Sequence, residues 1–285
     1  MEQYFENGRR YCSPTYYMPN DDEEQTRLTI NHQAFLSVLD GRLTLGRIAP
    51  GVTRILDIGT GPGDWAIAVG EQYPDAEVVA TDISPFPSTA VPPNVFFEID
   101  DAQEEWTYSD VFDFIHIRGL AGAFADWPAI YASAMQHLRP GGCVEVADFG
   151  LISVRNSIPG SYIGAFNGAC QAAAEKAGTP IGSDHLRKSV IEAAGLSVVK
   201  SRVIEVPLGP WSSDRRKAVA GKMALVSALE GLEAMSLRLL TREMAWKPEA
   251  VRDLCEKVKG EITRPGVRAF YPCHFVVARK VLDYG

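Results

Sequence analysis

Short apolar runs rich in β-branched residues alternate along this chain with stretches whose hydrophobic residues recur at helical spacing. The runs at 55–58, 77–82, 95–99, 112–117 and 143–148 predict buried strands. A helix is predicted from Trp65 to Tyr73, stopped near Pro74, and another over 128–138, ending in the turn Leu138-Arg-Pro-Gly-Gly142. Upstream, Ile30, Phe35, Leu36, Leu39 and Leu43 predict a helix between Thr29 and Leu45, before Pro50 and Gly51 break the chain. Downstream, helices are expected at 160–177 and 184–194, the second closed by Gly195, and a strand at 196–206. Residues 214–262 read as mostly helical, and Phe275 to Leu282 as a closing strand. Alternating β and α at this spacing implies an α/β fold with a parallel, doubly wound sheet. The last two strands make seven, with a helical insertion at about 208–268 between them. The expected division is a helical lid segment over 1–48 and one large domain over 49–285. Lid and insertion would roof a pocket beyond the carboxyl ends of the strands.

Composition narrows the chemistry. The net charge of −8 disfavours a nucleic-acid backbone as partner, which needs clustered Lys and Arg. No apolar run approaches the ~20 residues that span a bilayer. Met1-Glu-Gln-Tyr-Phe-Glu lacks a basic and then apolar leader, so a cytoplasmic location is expected. The five cysteines are widely spaced with no C-x-x-C, so neither a metal site nor a disulfide framework is expected.

The most informative segment is Arg-Ile-Leu-Asp-Ile-Gly-Thr-Gly-Pro-Gly-Asp-Trp, residues 54–65. Its strand runs into Gly59, Gly61 and Gly63, which let a ligand approach the backbone closely. In the dinucleotide pattern G-x-G-x-x-G the third glycine would fall on Asp64, and an acid there opposes a pyrophosphate. Asp57 at the strand end suits a cationic ligand. S-adenosylmethionine carries an ammonium and a sulfonium and no phosphate, and the segment resembles the first motif of class I methyltransferases. Asp82, at the end of the next strand, is placed to accept hydrogen bonds from ribose hydroxyls. In the methyltransferase pattern an acid after the third strand takes the adenine amino group; Asp101 is assigned that role, with Asp100 as the alternative. Thr60, Ile83 and Ala102 are assigned to the same cofactor wall, with Trp106 at the adenine edge.

Further segments are more selective: Glu6-Asn-Gly-Arg-Arg-Tyr11, Tyr17-Met-Pro-Asn-Asp-Asp-Glu-Glu24, Ser84-Pro85, Val91 to Asp101, Phe112-Asp-Phe-Ile-His-Ile-Arg118 and Asp126-Trp127. Together with Leu138–Gly142 they resemble the fungal LaeA-like methyltransferases of secondary metabolism, well over 6–150 and more weakly through Pro210-Trp211 and the final strand. The resemblance implies a Rossmann-like fold and S-adenosyl-L-methionine as methyl donor. The chain departs from the family pattern at Pro62, Asp64 and Cys143.

Methyl transfer needs alignment above all, and a phenol or acid acceptor also needs its proton held. His116 is the first candidate base, or else a histidine bonded within the sheet. Arg118 is read as orienting substrate, contacting the cofactor carboxylate, or pairing with a loop acid. Asp148 either takes a substrate proton, binds a cationic amine, or caps a loop. At least one of Tyr11 and Tyr17 is expected to close over the sulfonium, the alternative being a hydrophobic clasp. His185 is assigned to the surface, and His32 and His137 to structural positions in helices. The expected activity is methylation of a small natural product, at oxygen ahead of nitrogen or sulfur. The rival is a regulatory protein acting through protein partners.

Overall fold

The computed structural model describes residues 3–85, 90–155 and 160–281. Met1 and Glu2 of the opening segment, and Leu282 of the expected closing strand, lie outside them. The chain begins with a hairpin of β1 (Tyr4–Glu6) and β2 (Arg9–Tyr11), followed by α1 (Asp22–Val38). Next come β3 (Arg54–Ile58), α2 (Asp64–Gln72), β4 (Glu77–Asp82), β5 (Val95–Ile99), β6 (Phe112–Arg118) and α3 (Trp127–His137). They lead to β7 (Leu138–Phe149), the short β8 (Ser153–Val154), α4 (Tyr162–Ala177), a 3-10 turn at Asp184–Leu186, α5 (Lys188–Ala193) and β9 (Leu196–Pro207). The helices α6 (Arg215–Glu243) and α7 (Pro248–Thr263) precede β10 (Ala269–Lys280).

Strands β5, β4, β3, β6 and β7 lie side by side in parallel, and β10 runs antiparallel between β7 and β9. This is the expected Rossmann-like α/β sheet of seven strands, extended by β8, which pairs with the first residues of β10. Helices α1, α4, α6 and α7 pack on one another, so α4 joins the insertion helices in a single layer. That layer and β7, β9 and β10 enclose one apolar core, including Phe35, Phe166, Leu232 and Phe275.

The N-terminal segment differs most from its sequence-based expectation. It is a hairpin before it is a helix, because Asn7 (φ 53) and Gly8 (φ 86) both take the left-handed conformation that a two-residue turn needs. Helix α1 starts at Asp22, not Thr29: the Asp21 carboxylate caps the Glu24 N–H at 3.1 Å, and the first turns carry polar residues that hydrophobic spacing cannot register. Its end at Val38 leaves Leu43 and Leu45 in the connecting loop. Pairing with β6 also draws Leu138–Gly142, expected as a turn, into the start of β7.

That connecting loop is fastened by a buried acid. The Glu145 carboxylate accepts the N–H groups of Leu45 (2.8 Å) and Gly46 (2.6 Å), while Lys200 Nζ donates to the Leu45 carbonyl at 2.9 Å. Replacing Glu145 with alanine strands two buried donors and is expected to cost about 2–4 kcal/mol of stability, with Glu145→Gln losing less. Urea unfolding midpoints of the two variants measure the difference.

Candidate active site

The site sits at the carboxyl ends of β3, β4, β6 and β7, where a sheet that splays around its central strand leaves a crevice. Between β3 and α2 the loop bends through Gly59 (φ 64), Gly61 (φ 58) and Gly63 (φ 86), conformations that disfavour any side chain. A Cβ at Gly59 would stand 2.6 Å from Leu120, and one at Gly63 2.5 Å from Phe97. Gly63 therefore answers to packing inside the protein, and Gly59 to packing as well as to the crevice it borders. Gly61 faces the crevice, with Leu28 at 3.4 Å as its nearest neighbour. Gly63 is the N-cap of α2 and does not line the crevice.

Two carboxylates hold the loop. Asp57 Oδ2 accepts from the Thr60 hydroxyl (2.6 Å) and Oδ1 from His116 Nδ1 (2.7 Å), while Asp82 Oδ2 accepts the Gly61 N–H (2.9 Å). Asp82 Oδ1 takes both the backbone and hydroxyl donors of Ser84, at 2.9 and 2.7 Å. Burial pushes the Asp82 carboxyl up, against these hydrogen bonds. His116 lies buried, its ring stacked on Trp65 at 3.7 Å, and burial lowers its pKa while Asp57 opposes the shift. Its partner is thus a carboxylate, not a sheet carbonyl.

Arg118 carries the most unusual charge here. Its guanidinium sits 4.8 Å over the Phe35 ring, donates to His32 Nδ1 at 3.0 Å, and has no carboxylate at ion-pair distance among the described residues. The loop-acid pairing is thereby removed as an explanation. Burial and the Arg118 charge push the His32 pKa down to about 3, so its ring stays neutral as an acceptor. Asp148 is buried, with Oδ1 accepting the Ala121 N–H (3.1 Å) and Oδ2 2.8 Å from His185 Nε2. His185 is therefore not at the surface. Its ring is buried against Trp127 at 3.9 Å, because the 3-10 turn folds back over α3.

Two adjoining cavities meet at Gly59, Asp82, Tyr16 and Tyr17. The narrower one is bordered by Thr81, Ile83, Asp100, Asp101 and Ala102, with Ser13 and Thr15 opposite. Asp101 also accepts the Gln103 N–H at 3.0 Å, and Asp100 the Tyr108 hydroxyl at 3.4 Å. The larger cavity, about 270 Å³, contains Asp57, Thr60, Gly61, His116, Arg118 and Asp148 on its floor. Its roof comes from α1 (Glu24, Arg27, Leu28, His32), α4 (Phe166, Asn167) and α6 (Ala224, Ser227, Ala228, Gly231, Met235). Two assignments fail on placement. Trp106 is buried away from both cavities with its indole N–H on the Ala102 carbonyl (2.9 Å), and Tyr11 lies fully buried under Arg238. Of the tyrosine pair only Tyr17 borders the crevice, with Tyr16 beside it.

A model of the methyltransferase domain matches residues 30–201. Over 97% of this chain and 87% of its own length, methyltransferase pytC of Aspergillus terreus is 33% identical. The chain belongs to the methyltransferase-domain family. The secondary metabolism regulator LAE1 of Cochliobolus heterostrophus is 32% identical over 97% of this chain and 94% of its own length. Among solved structures, a chain of the Haloferax volcanii complex between the Trm112 methyltransferase activator and a methyltransferase superposes with TM-score 0.51 at 13% identity, covering 92% of this chain and 96% of that one. The protein is accordingly an S-adenosyl-L-methionine-dependent methyltransferase of the fungal secondary-metabolism type. The crevice fits that cofactor: an open glycine at Gly61, acids at the strand ends, and at Arg118 a half-buried guanidinium with no carboxylate at ion-pair distance among the described residues.

The methyltransferase offers two direct tests. Asp82→Ala removes the Gly61 contact and a carboxylate from the crevice wall, so donor affinity is expected to fall about tenfold to a hundredfold; calorimetry with S-adenosylhomocysteine measures it. His32 binds a proton at about pH 3 when folded but near 6.5 when unfolded. Between those values the unfolded chain holds more protons, so stability rises with pH. His32→Gln is expected to shrink the stability difference between pH 5 and pH 7 by about 2 kcal/mol in urea melts.

Proposed function

We propose that this methyltransferase methylates an oxygen of a small, largely apolar natural product. The observation that carries the reading is the state of the acids around the larger cavity. Of the five acids along its walls, Glu24 is held by Arg27 at 2.6 Å, Asp148 by His185 at 2.8 Å, and Asp57 by His116 and Thr60. Asp82 is held by Gly61 and Ser84, and Asp64 by the Thr29 hydroxyl at 2.9 Å, so each is already engaged, which disfavours a cationic amine as guest. Hydrogen-bonding groups remain on the same walls at Ser227, Asn167 and Tyr271, among the apolar side chains of Phe35, Phe166, Met235 and Leu239. Such a lining suits a flat, mostly hydrophobic molecule with a few oxygens.

The placement of the lining residues supports a division of labour. S-adenosyl-L-methionine supplies a methyl group on a sulfonium, already activated for in-line displacement. Asp82 takes the ribose hydroxyls, Asp101 the adenine amino group, and Arg118 the carboxylate of the methionine end. Tyr17, with its hydroxyl donating to Glu243 at 2.5 Å, closes one side of the crevice. With Asp57 accepting from Nδ1, the His116 ring presents Nε2 as the proton acceptor, an arrangement that fixes the tautomer. Proximity supplies the rest of the rate.

The name of the Cochliobolus relative supports a second reading, a regulator acting through protein partners. One experiment separates the two. Labelled methyl from the donor, followed in extracts with and without the gene, is expected to appear in a low-mass metabolite as an O-methyl group. Label in protein, or in no product, favours the regulator, and an N- or S-methyl product overturns the oxygen assignment. With the acceptor identified, His116→Gln is expected to lower turnover about a hundredfold while donor affinity stays near wild type.

A further inference from the structure

Arg238 lies in the last quarter of α6 and is 0% exposed, an unusual place for a guanidinium. Its partners all come from the N-terminal segment. Nε donates to Glu6 Oε2 (3.0 Å), one terminal nitrogen to the carbonyls of Ser13 and Tyr16 (both 2.8 Å), and the other to the Pro14 carbonyl (3.3 Å). The Tyr11 ring covers it, 4.1 Å from the guanidinium carbon. One turn later, Arg242 donates to both Glu6 oxygens and to the Pro14 carbonyl.

The stretch gripped in this way, Ser13 to Tyr17, is the one that borders both cavities. Ser13, Thr15 and Tyr16 face Asp100, Asp101 and Gln103 across the adenine side of the crevice. A nucleoside seated in that cavity touches the segment, and lifting the segment away breaks the contacts of Arg238. We propose that Arg238 is a positioning residue that holds residues 13–17 closed over the donor and thereby sets how long donor and product stay bound. The proposal rests on the donor site described above. A planar fork with five donors is required: three carbonyls and a carboxylate converge on it, and a lysine ammonium cannot span them. The same helix lines the acceptor cavity through Ser227, Gly231 and Met235, so the staple also fixes the lid relative to the acceptor.

The test uses the full chain and S-adenosylhomocysteine as probe. Its release rate is followed by stopped flow for wild type, Arg238→Met, Arg238→Lys and Glu6→Gln, with thermal melts alongside. Arg238→Met is expected to release the probe about tenfold faster or more, with a small change in association, and Arg238→Lys to recover only part of the loss. In hydrogen exchange, the probe is expected to protect residues 12–17 of the wild type and not of Arg238→Met. A folded Arg238→Met with wild-type release overturns the proposal. If that variant fails to fold, Glu6→Gln decides: unchanged release and unchanged protection overturn it, and faster release supports it. A wild type that binds no probe overturns the donor site itself, a result distinct from either.

Discussion

The turn that leaves β3 is braced from two neighbouring strands at once, and every part of the crevice is placed relative to it. Asp57 reaches from within β3 to Thr60, and Asp82 reaches across from the end of β4 to the Gly61 N–H. Both acids sit where parallel pairing aligns the strand ends, so the sheet register sets the shape of the loop. His116 on β6, paired opposite Asp57, completes the brace from the other side and is itself wedged by Trp65 of α2. Three adjacent strands and one helix thus fix a few residues of backbone. A ligand arriving there meets a surface already shaped, which lowers the ordering cost of binding.

Buried charge is balanced locally elsewhere in the molecule. Glu24 faces Arg27, Glu145 is satisfied by two backbone N–H groups, Asp148 by His185, and Arg238 by Glu6 and three carbonyls. Arg118 stands apart: half-buried, it touches a neutral imidazole and an aromatic face, while the carboxylates of Asp57, Asp64 and Glu145 act on it only from beyond ion-pair distance. A guanidinium on the wall of a crevice with no carboxylate in contact differs in this from the ion-paired arginines Arg27 and Arg238.

Strands β3, β4 and β6 were legible in the chain because a buried parallel strand is a short apolar run closed by a turn, and each carries an acid or histidine that borders the crevice at or near its carboxyl end. Strand β5 shows the same run but lies at the sheet edge with Phe96 and Ile99 exposed, against the burial expected of it. Asp82, Asp101 and Arg118, singled out in that way, all border the crevice. Helix α1 was only half legible, since its inward face is polar: Glu24, Arg27, Leu28, Asn31, His32 and Phe35 share the helical spacing of a buried stripe but line a cavity, so hydrophobic periodicity starts too late. For the same reason His32 was read as structural. The hairpin before it did carry a readable signal in Asn7-Gly8. Trp106 and His185 were misplaced because their positions depend on side-chain packing against α3, which no local spacing encodes.

The wall that α6 turns toward the larger cavity carries the small residues Ala224, Ser227, Ala228 and Gly231 beside Met235 and Leu239, and meets walls from α1, α4, the sheet ends and the braced loop. Room for a guest is therefore metered in part by the smallest side chains on a single rod. Exchanging one of them for a neighbour in size would re-cut the chamber while leaving the donor's seat untouched. Lineages carrying this scaffold can accordingly drift toward new guests one methyl group at a time, without first surrendering the chemistry they inherited.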